Sequence, residues 1–198
     1  MRKIIVTGCG TGVGKTVVSA CLTLALQGDY WKPVVSGTDE GCDYETMKAL
    51  LAGSNCHVHE SAYRLHAALS PHHAAKLEGV HIDPIAFICP STTRPLVIET
   101  SGGIFVPLND ELLAIDFLQK LDAVWVIVSR NYLGSINHTL LTIEALQRRK
   151  IDIRLLIFNG QEVAESERAI SFFSAITNSV KSQLLSPSFL FLTRPFLV

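Results

Sequence analysis

The sequence carries little charge. Of 198 residues, 18% are charged, and the formal net charge is −1. A chain so balanced has no broad basic face for nucleic acid or for an anionic membrane, so neither partner is expected. No C-x-x-C occurs. The five cysteines (Cys9, Cys21, Cys42, Cys56, Cys89) are odd in number, and reduced thiols in a cytosolic protein are the simplest account of them. No run approaches the ~18–20 apolar residues of a membrane span. The start "MRKIIVTG" offers only Ile4–Val6 before Thr7, too short for a signal peptide, which points to a soluble, cytoplasmic protein. The histidines of "HVH" and "HH" have no cysteine or third acid at ligand spacing, so no transition-metal site is expected. Internal repeats and low-complexity linkers are also missing, and the length suits a single domain over 1–198.

What is present is a 48% hydrophobic content, enough for a sizeable core. Short, nearly continuous apolar runs recur: 3–8, 31–37, 95–100, 123–129, 153–159 and 188–193. Strands buried on both faces look like this, as in a parallel sheet covered by helices. Between them, helical spacing is found over 14–27, 44–52, 111–121, 135–149 and 162–180. Residues 53–90 resist assignment. The alternation predicts a doubly wound α/β fold, with a mostly parallel sheet and helices on both faces.

The chemistry begins at "VTGCGTGVGKT", Val6 to Thr16. It resembles G-x-x-x-x-G-K-[ST], but the first glycine, Gly8, falls one residue early. The context of strand, glycine-rich loop and helix is the one a phosphate loop needs. Backbone N–H groups of Gly12, Val13, Gly14 and Lys15, with the helix N-terminus, suit phosphate oxygens. Lys15 would reach the terminal phosphates and Thr16 would hold Mg²⁺. Three further residues stand out. Lys32 opens the run 31–37, and is either an edge lysine reaching solvent or a functional cation. Glu99 ends the run 95–100, and is either a loop acid or a carboxylate on the ligand side of the sheet. Asp43 stands at a helix start, as an N-cap or as a second Mg²⁺ contact.

Taken together, these segments resemble the dethiobiotin synthetase family, whose phosphate loop is longer by one residue, G-T-D-T-x-V-G-K-T. Here it is "GCGTGVGKT", Gly8 to Thr16. The family's K-P-V-x-S-G is similar to "KPVVSG" from Lys32, and its S-P-H to part of "LSPHHAA" from Leu69. Its V-E-G-A-G-G-x-x-x-P-L is similar to "IETSGGIFVPL" from Ile98, and its L-G-x-I-N-H-x-L-L-T to "LGSINHTLLT" from Leu133. The blocks are collinear.

The resemblance implies a P-loop ATPase fold and an ATP-dependent ligase of biotin synthesis. It implies that 7,8-diaminononanoate and CO₂ form a carbamate, which ATP phosphorylates before the second amine closes the ureido ring. By the same resemblance the catalytic residues are Lys32, Lys15 and Thr11. Nucleotide binding falls to Gly12, Val13, Gly14, Lys15, Thr16, Val17, Asp43, Glu99, Thr100, Ser101, Gly102 and Asn159. Mg²⁺ falls to Thr16, Asp43 and Glu99, and substrate to Ser36, Gly134, Ser135 and Asn137, the last three from the partner subunit of a homodimer. Cys9, Gly10, Thr100 and Ser101 depart from the family's pattern. At position 100 a β-branched residue must avoid positive φ. "RPFL", 194–197, is similar to a segment the family places near the base. Two other classes compete. One is a partitioning-type ATPase switch, although its extra loop lysine has no counterpart in Gly8-Cys9-Gly10. The other is an inactive nucleotide-binding relative.

Overall fold

A computed structural model describes residues 2–41, 43–176 and 178–181. The expected strand at 188–193 and the "RPFL" segment lie outside them. Within the described residues a six-stranded parallel sheet forms the centre. Its strands are β1 (Lys3–Gly8), β2 (Asp29–Trp31), β5 (Leu96–Glu99), β6 (Val124–Arg130), β7 (Ile153–Asn159) and β8 (Ser179–Lys181), in the order β2-β5-β1-β6-β7-β8. Two further short strands, β3 (Val34–Ser36) and β4 (Tyr63–Leu65), pair in parallel as a small second sheet.

The continuous apolar runs follow from the sheet having two buried faces. In β1, Ile4 and Val6 enter one core and Ile5 the other. Val97 is set against Leu96 and Ile98 in the same way, and Val126 and Val128 against Trp125 and Ile127. Successive side chains point to opposite faces of a strand, so every residue must be apolar when both faces are covered. On one face lie α1 (Lys15–Leu26) and α2 (Asp43–Leu50), through Val18, Leu22 and Met47. The other face carries α3 (Pro71–Leu77), α4 (Ala114–Leu118), α5 (Ser135–Arg148) and α6 (Ala164–Ser174), through Ala74, Ile115, Ile143, Leu146 and Ile170. The doubly wound architecture is as expected.

Three expected elements differ. The run 31–37 is not one strand: β2 ends at Trp31, Lys32 and Pro33 intervene, and β3 belongs to the other sheet. Pro33 has no N–H for a ladder, which favours the break. The helix expected over 162–180 stops at Ser174, where Ala175 turns left-handed (φ 55°), and Ser179–Lys181 becomes β8 beside β7. The helix expected over 111–121 is only α4, five residues long. Residues 53–90 hold β4, α3 and a 3₁₀ turn at Pro84–Ala86.

Candidate active site

The site lies at the C-terminal ends of the parallel strands, where such folds place ligands. From Gly8 the chain turns through 9–14 into α1. Gly12 (φ 71°) and Gly14 (φ 97°) are left-handed. Left-handed residues in a tight loop turn successive N–H groups towards one anion, and the first turn of α1 adds its free N–H groups. Gly14 has a second constraint: a Cβ there would lie 2.0 Å from Asn159 Nδ2. That amide donates to Val13 O at 2.9 Å, so the end of β7 holds the loop. Lys15 is buried, and its Nζ donates to Gly10 O at 2.7 Å. Burial pushes its pKa below the ordinary lysine value, against the opposing pull of Glu99.

A carboxylate cluster follows the loop. Thr16 Oγ1 lies 2.9 Å from Asp43 Oδ1 and 3.0 Å from Glu99 Oε1. Lys32 Nζ is 3.0 Å from Glu99 Oε1 and also pairs with Asp43 Oδ2. Tyr30 OH donates to Glu99 Oε2 at 3.0 Å. Tyr30, Lys32 and Glu99 are all buried. Burial works against the Lys32 charge, but Glu99 and Asp43 outweigh it and hold the ammonium above its ordinary pKa. Burial also works against ionised Asp43, and Lys32 reverses that, so its pKa falls below the usual carboxylate value. Asp43 is the first residue of α2, and its carboxylate is engaged by Thr16 and Lys32.

This donor set fits Mg²⁺. One hydroxyl proton on Thr16 cannot serve two carboxylate oxygens at once, so lone pairs converge there. All the donors are hard oxygens. One hydroxyl and one or two carboxylates, completed by phosphate oxygens and water, is the usual Mg²⁺ environment at a phosphate loop.

Beside the cluster opens a cavity of about 490 Å³. Thr11, Lys32, Ser36, Asp43, Ser101 and Gly102 line its polar side, and Ala68, Leu69, Pro71 and Val106 its apolar side. Ser36 Oγ is buried without a hydrogen-bond partner among the described residues. Ser101 Oγ donates to Val34 O. Thr100 avoids positive φ, and Gly102 takes the left-handed position instead (φ 70°). Thr100 Oγ1 bonds Thr7 Oγ1 at 3.2 Å and Gly102 O at 3.0 Å.

The remaining expected residues fall outside that cavity. Val17 is exposed on α1. Gly134 (φ 100°) is the N-cap of α5, Ser135 is buried, and Asn137 is the exposed third residue of that helix. The capping position belongs to Gly134, so Asn137 stands inside the first turn of the helix. Around it Leu133 is fully exposed, and Tyr132 and Leu141 are about half exposed. Tyr132 OH reaches His138 Nδ1 (2.8 Å) and Cys9 Sγ (3.8 Å).

Sequence reasoning missed Tyr30, the apolar wall and Arg130. Arg130 ends β6 and donates to Gly12 O at 3.3 Å. Tyr30 had a signal: it stands two residues before Lys32, at the spacing that shares one side of an extended chain.

Solved structures share this architecture. A ParA family ATPase from Chlorobium tepidum aligns with a TM-score of 0.56 at 12% identity, over 98% of this chain and 92% of that one. A putative plasmid partition protein from Borrelia burgdorferi, bound to AMPPNP, aligns at 0.55 and 11%, over 91% and 85%. A family model described as an AAA domain matches residues 2–179. Fold, loop and model together define the class, a P-loop nucleotide-binding α/β protein. Sequence relatives narrow it. The ATP-dependent dethiobiotin synthetase BioD of Paramagnetospirillum magneticum is 44% identical over 176 residues, covering 89% of this chain and 85% of that protein. The same-named protein of Cytophaga hutchinsonii is 48% identical over 171 residues, covering 86% and 82%. The chain belongs to the ATP-dependent dethiobiotin synthetase family.

Proposed function

We propose that the protein is an ATP-dependent dethiobiotin synthetase of biotin biosynthesis, using Mg²⁺ and closing a ureido ring on 7,8-diaminononanoate. The observation that carries this reading is a junction: a phosphate loop and a carboxylate–lysine cluster meet at one mouth of a cavity with an apolar wall. Ala68, Leu69 and Val106 suit an aliphatic chain. Ser36 Oγ supplies a free hydroxyl for an amine or carbamate.

The steps follow from charge. One amine attacks CO₂ and loses a proton, giving an anionic carbamate. A carbamate oxygen attacks the γ-phosphorus of ATP, ADP leaves, and a carbamic–phosphoric anhydride results. The second amine attacks the anhydride carbonyl, and inorganic phosphate leaves as the ring closes. Negative charge develops on the carbamate and on the transferring phosphoryl group, so catalysis rests on positioning and fixed positive charge. Lys15 and Lys32 supply that charge, and Thr11 lies on the cavity side of the loop. Mg²⁺ held by Thr16, Asp43 and Glu99 would neutralise the phosphate oxygens.

The working form is a homodimer, with the exposed patch of Tyr132, Leu133 and Leu141 at the contact and Asn137 turned to the partner's substrate. Among the described residues no helix is long and apolar enough to cross a membrane, and a cytoplasmic location is part of this proposal. The likeness to partition ATPases is one of fold at 11–12% identity.

The test is phosphate release measured with diaminononanoate and bicarbonate together, and with either omitted. Release is expected only with both, alongside dethiobiotin by mass spectrometry. Equal release without either marks a switch-type ATPase, and no nucleotide binding at all marks an inactive relative.

A further inference from the structure

Glu99 and Asp43 are shared out oxygen by oxygen. Glu99 Oε2 already accepts from the buried Tyr30 hydroxyl, which leaves Oε1 as the oxygen turned to Thr16. The same Oε1 accepts from Lys32 at 3.0 Å. On Asp43, Oδ1 faces Thr16 and Oδ2 faces Lys32. A divalent ion beside Thr16 would thus draw on the carboxylates that hold the ammonium, and two cations crowded onto the same oxygens repel. We propose that the Lys32 ammonium and the divalent cation are alternative occupants of this cradle, so that loading metal-nucleotide drives Lys32 off Glu99 and Asp43 into the substrate cavity.

The proposal rests on the cation site assigned above, and adds an order of events to it. Lys32 has somewhere to go, because it already lines the cavity that Ser36 and Thr11 also line. It lies between β2 and β3, outside both strands. The anion that would receive it is a carbamate, the class of ligand whose charge can replace the lost carboxylates. An isolated buried ammonium is costly, so the freed lysine raises the cavity's affinity for an anion only once nucleotide is in place. The exchange therefore makes Lys32 a positioning device for substrate order as well as a catalytic cation.

Two readouts test it without turnover. Binding of Mn²⁺·ADP is followed by electron paramagnetic resonance in wild type, Lys32→Met and Glu99→Gln, with circular dichroism confirming that each is folded. Acetylation of the Lys32 amine by a water-soluble acetylating ester is followed by peptide mass spectrometry, with ADP plus EDTA and with Mg²⁺·ADP. Lys32→Met is expected to bind Mn²⁺·ADP about tenfold more tightly than wild type. Wild-type Lys32 is expected to acetylate at least several-fold faster with Mg²⁺·ADP than with ADP alone. An unchanged or slower acetylation rate overturns the exchange, because the lysine then stays paired while the metal binds. Unchanged affinity in Lys32→Met overturns it as well. If Glu99→Gln binds Mn²⁺·ADP like wild type, the cation site itself is elsewhere, and that distinct result overturns both readings.

Discussion

Glu99 is divided between two tasks. Its Oε2 is fixed by Tyr30, and its Oε1 faces the cation cradle. A buried carboxylate oxygen that loses its donor costs about 1–3 kcal/mol, and the carboxylate gains freedom to turn. Tyr30→Phe is therefore expected to raise the Mg²⁺ concentration needed for half-maximal activity about tenfold, which corresponds to about 1.4 kcal/mol and falls inside that range. The KM for the diamine should move little. A Mg²⁺ titration that superimposes on wild type would remove Tyr30 from the machinery. The motif residues were legible from sequence because phosphate chemistry demands fixed spacings along one segment, as in Gly12 to Thr16. Tyr30 was hidden because it stands just ahead of the run 31–37, where an aromatic reads as core, and it is core, with only its hydroxyl at work.

Among the elements, β2 depends on one buried charge. Asp29 accepts from Thr92 Oγ1 (2.6 Å), Arg94 (3.2 Å) and His57 N (3.2 Å), and lies 3.4 Å from His59 Nε2. Burial alone would raise its pKa, yet Thr92, the His57 N–H and Arg94 together bring it below the ordinary carboxylate value. A carboxylate depressed in the folded state stabilises fully above its unfolded pKa of about 3.9. That contribution is lost as pH falls through the lower, folded value. Asp29→Asn should thus lower the melting temperature at pH 7 by several degrees, roughly 1–3 kcal/mol, and the gap to wild type should close towards pH 3. A gap that stays constant across that range would refute the linkage. Strands β1 and β7 were legible to the residue, because their centres, 4–6 and 155–158, are buried on both faces and read as short apolar runs. The run 31–37 misled because Trp31 and Val34–Ser36 share composition, while Pro33 parts them between two sheets. Strand β8 was hidden because "SVK" is short and half-buried at the sheet edge, without the apolar signal of a central strand. Residues 53–90 were illegible for a related reason. Their elements run three to seven residues, shorter than the window in which a period declares itself.

For the whole molecule, the proposed dimer turns on Asn137. It is exposed and does not line the cavity of its own chain. If a partner supplies it, Lys32→Ala and Asn137→Asp, each inactive alone, should complement when mixed. Random exchange makes half the dimers mixed, and each mixed dimer holds one intact pocket of two, so about a quarter of wild-type activity should return. No recovery under verified exchange, or a fully active monomer, would confine the site to one chain. The parallel sheet has one more effect, on the birth of the molecule. Its site residues come from chain segments far apart: Thr16 meets Asp43 across 27 positions and Glu99 across 83. Such distant pairings carry a large loop-closure entropy and form late, so a chain of this topology folds slowly for its size. The cradle does not exist until β5 has docked beside β1, and a nascent or refolding chain must find its way that far before metal or nucleotide can help it.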